Sequence, residues 1–305
     1  MTISPFSPGL ASATGKLPVP LTNDMMLHTI TQNNNAVLKG LVASLMKIPP
    51  DSIDDIHLIN PIDYRNIFDK EIILDIKALL NSEKIVNIEL QIAVSTDDLK
   101  WINRSILYLC RTFDNIGSSD EYETIHPSMH ISILPRDLFS DAPQEFYAHY
   151  YLKNVGNGHI YSTNFALHVL YLSHIDLATE SDIENDLAYW AEAFLASTWE
   201  DLKSLALKRP VMKEVAETMY TVSAEQHERT MMEAHQKFVM DHGYMTRKIS
   251  SLNAQIAEKD EQLAKQEDLL TKQEDQLAKQ EDLLAAKDDE IASLKQALAA
   301  ATGKS

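Results

Sequence analysis

Ile249, Ile256, Leu263, Leu270, Leu277, Leu284, Ile291 and Leu298 recur at every seventh position. Seven residues make almost two helical turns, so only an α-helix gathers these side chains into one stripe. The last sixty residues are thereby withdrawn from any sheet or mixed core. The repeat is also literal: KQED occurs at 265, 272 and 279, and LAKQEDLL occurs twice. With the Leu/Ile series at heptad position a, position d reads Leu252, Lys259, Gln266, Gln273, Gln280, Lys287 and Leu294. Only the two ends carry apolar d residues. Two readings follow for residues 246–305: a coiled coil that makes the chain a homo-oligomer, or a solvated single helix.

What precedes the tail must supply the fold. Hydrophobic residues make up 45% of the 305 residues, enough for a substantial core. No run approaches the roughly 18 apolar residues that span a bilayer, so no membrane association is expected. The opening MTISPFSPGLASATGKLPVP lacks a basic region followed by an apolar block. It reads as a flexible lead-in over residues 1–20, without a secretion signal. The single cysteine, Cys110, excludes an internal disulfide and suits a cytoplasmic setting. The formal net charge is −18; the tail holds 9 Lys/Arg against 12 Asp/Glu, which leaves −15 on the rest. Such a field repels nucleic acid at long range.

Residues 72–94 carry the most informative pattern. Ile72, Leu74 and Ile76 alternate with Ile73, Asp75 and Lys77. Val86, Ile88, Leu90, Ile92 and Val94 alternate with Asn87, Glu89, Gln91 and Ala93. Both runs have the period of two that marks a strand with one apolar face. Asn81-Ser82-Glu83 suits a turn between them. A pairing whose residue numbers sum to an even value such as 164 makes the apolar faces coincide, and it sets Asp75 opposite Glu89. An odd sum would bury Asp75 among Ile and Leu, so hydrophobic matching brings the two acids together. Opposed acids destabilise a sheet unless a cation sits between them. That cation is a metal ion, or it is Lys77 screening an ordinary solvated face.

Helical spacing is found around Met26, Leu27 and Ile30, with Asn23 or Asp24 as the cap, and again over Val37–Met46 until Pro49-Pro50. A short strand is expected in DIHLINP. DDLKWINRSILYLCRTFDNI reads as a helix with an apolar stripe of Trp101, Ile102, Ile106, Leu109, Cys110 and Phe113. Further strands are expected at 129–134 and in EFYAHYYLKNV and FALHVLYLSH, and helices in IENDLAYWAEAFLAS, WEDLKSLAL and PVMKEVAETMYTV. This order suggests a mixed α/β domain over about residues 21–175, then a helical extension over 176–245.

Taken together, these segments resemble the Rpn family of recombination-promoting nucleases and transposases, within the PD-(D/E)XK nuclease superfamily. NDMML supplies Asp24, with Leu27 where the family commonly has Phe. ILDIKA supplies Asp75, NIELQ supplies Glu89 and Gln91, and NRSILYLCRTFDNI supplies Arg104 and Tyr108. The likeness covers roughly residues 20–225. It implies a mixed sheet flanked by helices, DNA as partner, and a Mg²⁺-dependent endonuclease associated with recombination or transposition. Asp75, Glu89 and the Leu90 carbonyl would hold Mg²⁺, or Mn²⁺ in its place, since hard cations prefer oxygen ligands. Asp24 would add a third carboxylate or orient a water, although a capping role explains it too. Gln91 stands where the superfamily has Lys; it can orient a water but cannot act as a base. Lys77 would supply the missing cation. Arg104 and Lys100 would bind phosphate, or Arg104 would pair with Asp97, Asp98 or Asp114. The acidic body and Gln91 leave a second reading: an inactive nuclease fold that binds or assembles through its tail.

Overall fold

A computed structural model describes residues 5–60, 75–90, 98–116, 119–139 and 141–302. They form two compact units, Met1–Met240 and Asp241–Ser305. No described helix is long and apolar enough to cross a membrane.

The first unit is built on a six-stranded mixed sheet. Its strands are β1 (Ile56–Leu58), β2 (Ile76–Leu80), β3 (Lys84–Leu90), β4 (Ser128–Leu134), β5 (Tyr147–Lys153) and β6 (Ile160–Tyr171), in the spatial order β1-β2-β3-β4-β6-β5. The β3–β4 and β4–β6 pairs are parallel and the others antiparallel. The β2–β3 register pairs Ile76 with Ile88 and Ala78 with Val86, the sum of 164 that hydrophobic matching selects. Asn81 and Ser82 make the turn with positive φ of 47° and 57°, a conformation short polar residues tolerate.

One face of the sheet carries Ile76, Ala78, Val86, Ile88, Met129, Ile131, Ile133, Ala166 and Leu170. It merges into the main core with helices α2 (Asp24–Asn33), α3 (Asn35–Met46), α6 (Leu187–Leu195), α7 (Trp199–Ala206) and α8 (Pro210–Ala224). The region expected as a helical extension therefore shares one core with the sheet. Two short helices, α1 (Pro8–Ser12) and α5 (Glu180–Glu184), complete this layer. The expected flexible lead-in is packed over its described part. Leu10, Leu17 and Val19 are buried, Lys16 bridges Thr198, and Ser7 N and Oγ donate to Glu217 at 2.8 and 2.6 Å. Composition suggested mobility, but the three aliphatic side chains gain more by burial than the short segment loses in entropy.

The opposite face is covered by α4 (Asp98–Phe113), which packs across β3, β4 and β6. The helix forms where its sequence predicts, but its buried stripe is rotated. Trp101, Ser105, Leu109 and Thr112 face inward, while Ile106 and Cys110 are exposed. The polar lining of this sheet face takes small and polar side chains from α4, which hydrophobic spacing alone does not anticipate. The tail lies within the single helix α9 (Gln226–Thr302).

Candidate active site

The polar lining beneath α4 is a consequence of strand alternation. On β2, β3 and β4 every second residue turns away from the main core. The register aligns Lys77 with Asn87 and Asn87 with His130, and it aligns Glu89 with Ser132. Asp75 immediately precedes β2, at the position that extends the register opposite Glu89. Two polar rows thus cross strands that lie in the middle of the sheet, where apolar residues would be expected on both faces.

Glu89 is 4% exposed. Its Oε1 accepts from Arg104 Nη2 at 2.6 Å, and Arg104 lies over the rings of Trp101 and Tyr108, 5.5 and 5.3 Å from their centroids. Neither the phosphate role nor the acidic neighbours of α4 anticipated this partner; Asp97 lies outside the described residues. The other oxygen, Oε2, is buried without a hydrogen bond, and so are Asp75 Oδ1, Asn87 Oδ1, His130 Nε2 and Ser132 Oγ. Asn87 Nδ2 donates to His130 Nδ1 at 3.0 Å, which leaves the ring proton on Nε2. That nitrogen stands 3.6 Å from Glu89 Oε2, too far for a hydrogen bond.

Burial dominates the electrostatics here. It pushes the Glu89 carboxyl up to about 7, against the pull of Arg104 and with the help of Asp75. Asp75 is raised for the same reason, although its hydrogen bonds and the Arg104 and Lys77 charges oppose the shift. Burial and Arg104 lower His130 to about 4, so the ring is neutral at pH 7.

A bracket on the other side fixes the strand that carries Asp75. Asn60 Nδ2 donates to Asp75 O at 2.6 Å, and Asn60 Oδ1 accepts from Lys77 N at 2.8 Å. His28 Nε2 donates in turn to Asn60 O at 3.0 Å. His28 lies one turn beyond Asp24 on α2. Asn23 caps that helix through Met26 N, and Asp24 Oδ1 accepts from Met25 N at 3.0 Å.

The sequence-derived residues are thus distributed unevenly. Asp75, Lys77, Glu89 and Arg104 converge. Lys100 is exposed on α4 one turn before Arg104, and Leu90 ends β3. Gln91 lies outside the described residues. Asn87, His130 and Ser132 are missing from the sequence-derived set. Their signal was the alternation of Ser128, His130 and Ser132 with Met129, Ile131 and Ile133, which marks a polar stripe on a central strand.

Among the described residues, no three His, Cys, Asp or Glu side chains form a ready metal cluster. Two acceptor oxygens without donors, from two carboxylates, instead suit a hard cation that keeps water or substrate oxygens in its remaining positions. The donor set fits Mg²⁺ better than zinc, which favours nitrogen and sulfur.

Searches of curated proteins and of solved structures give no match. Residues 28–248 match the model of a family described as PD-(D/E)XK nuclease family transposase. That span includes the strands bearing Asp75 and Glu89, the helix bearing Arg104 and the whole sheet. By this match over more than two thirds of its length, the chain belongs to the PD-(D/E)XK nuclease family transposases.

Proposed function

We propose that the protein is a divalent-metal-dependent DNA endonuclease, with Mg²⁺ as its cation and Mn²⁺ as a substitute. The observation that carries this reading is the pair of donor-free carboxylate oxygens, Asp75 Oδ1 and Glu89 Oε2, on neighbouring strands of a family nuclease sheet. Asp75 and Glu89 would hold the cation, with the Leu90 carbonyl. A bound Mg²⁺ supplies an acidified water and offsets charge on the scissile phosphate.

The remaining roles fall to the chain's own groups. Asn60 fixes the backbone on either side of Ile76, and so sets where the Asp75 carboxylate points. Arg104, stacked on Trp101 and Tyr108, presents a planar guanidinium suited to a phosphate. Lys100 extends the same helix face toward the nucleic acid backbone. Lys77 shares the Asp75 face and offsets charge there. Gln91 orients water through its amide, and Asp24 acts through the start of α2.

A second reading rests on the Arg104–Glu89 pair. That guanidinium already neutralises one of the two acids, as a nuclease fold that had given up metal would require. Purified protein with supercoiled plasmid, in Mg²⁺ or in EDTA, separates the two. The proposal expects nicking or linearisation that needs Mg²⁺ and disappears in Asp75→Ala and in Glu89→Ala. Cleavage that survives both substitutions contradicts the assigned site. Folded wild-type protein that leaves the plasmid intact at low salt favours the second reading.

A further inference from the structure

We propose that the tail pairs with the tail of a second copy of this chain as a two-stranded coil, parallel and in register. The inference does not depend on whether the Asp75–Glu89 site cleaves DNA.

The a-position residues from Ile249 to Ile291 form a continuous apolar stripe on α9. Their exposure lies between 48% for Ile291 and 61% for Leu284. Leu269 and Leu283, at position g, widen the stripe and are equally exposed. A row this long exposes far more apolar surface than a solvated helix needs. The outward face is committed elsewhere: Lys265 pairs with Glu261 at 2.7 Å and Lys272 with Asp268 at 2.5 Å, all at positions c and f. These i,i+4 pairs support the single helix and keep Lys265 and Lys272 away from the seam.

Orientation follows from what each layer would meet. A parallel pair stacks a on a and d on d. Ile and Leu then meet Ile and Leu, while Gln266, Gln273 and Gln280 meet their own copies, and amides can both donate and accept. An antiparallel pair stacks a on d, so every central Leu would face a Gln or Lys. Charge points the same way. In the parallel pair, Asp260 and Glu267 at position e face Gln255 and Gln262 at position g of the second copy. Lys259 and Lys287 at position d meet their own copies, and Asp260 and Asp288 of the second copy lie beside them and offset that charge. In the fully overlapped antiparallel pair, Asp260 meets Asp288, acid on acid. Strand number follows from side-chain shape. At the two ends, Ile249, Ile256 and Ile291 at a, with Leu252 and Leu294 at d, are the two-strand pattern.

The test uses the full chain with its exposed thiol removed by Cys110→Ser. Light scattering at tens of micromolar is expected to give twice the 34.4 kDa of one chain. In a thiol–disulfide buffer, added Gln266→Cys alone and added Gln280→Cys alone should each link most of the chain into covalent dimers. Asp268→Cys, on the outward face, should not. The fully overlapped antiparallel pair would hold the two Gln266 positions about 27 Å apart and link Gln266→Cys only to Leu284→Cys of a mixed partner, the residue it faces there. A single-chain mass, a mass of three or four chains, or linkage found only in the mixture overturns the proposal. None of these readouts involves cleavage, so they separate this pairing from the nuclease reading.

Discussion

Glu89 shows how burial sets both chemistry and stability. Its carboxyl has an ordinary value of 4.5 and rises to about 7 in the fold. Between those values the native state holds a proton that the unfolded chain has released. This contribution to stability is therefore complete below pH 4.5 and is lost as pH rises to about 7. Removing the charge should reverse the loss. In EDTA, Glu89→Gln is expected to match wild type near pH 4.5 and to exceed it at pH 8 by about 2 kcal/mol. That figure is discounted because Arg104 is half-exposed and water can replace its partner. Thermal unfolding across pH measures it, and equal midpoints at pH 8 would show that Arg104 fully compensates the buried carboxylate. The same proton competes with a cation, so Mg²⁺ affinity should climb as pH rises to about 7 and then level off. Titration of Mn²⁺ by electron paramagnetic resonance reads this without any substrate. Sequence pattern alone placed Asp75 against Glu89, because a misregister would bury a charge. It did not reach His130, since the alternation of Ser128, His130 and Ser132 marks a polar stripe but does not say which strand lies beside it.

At the level of elements, the site depends on joints that side chains make. Asn60 follows β1 and completes the β1–β2 ladder where the backbone alone stops, holding Asp75 O and Lys77 N. Asn60→Ala should cost about 1–3 kcal/mol, because it leaves both half-buried backbone groups without partners. It should also weaken Mg²⁺ binding more than a distant change of equal cost. Unfolding curves and a metal titration on the same variant test both halves, and unchanged metal affinity would remove Asn60 from the site's support. Period-two and period-3.6 patterns located most described elements within a few residues. They failed on the facing of α4, where Ser105 and Thr112 are buried while Ile106 is exposed. That facing is fixed by the polar rows on the sheet below, which no local window contains. Joints of the Asn60 kind were equally illegible, because they depend on contacts between segments far apart in sequence.

For the whole molecule, a formal charge of −18 means that DNA must be met by a few cations against a repulsive field. The N-terminal segment is the other feature of this scale, and composition misjudged it. Removing residues 1–20 takes Leu10, Leu17 and Val19 from the core and breaks the bonds from Ser7 to Glu217 and from Gly15 to Glu200. At roughly 1.5–3 kcal/mol for each buried aliphatic, the truncated protein should be less stable by several kcal/mol. Calorimetry checks this, and an unchanged midpoint would return the segment to the status of a loose leader. Its position also sets a timetable for synthesis. Ser7 leaves the ribosome 210 residues ahead of its partner Glu217. At about 5–20 residues per second, the opening aliphatic side chains wait on the order of 10–40 s for the surface that covers them. Made 210 residues before their cover, these side chains are natural clients for a chaperone over that interval.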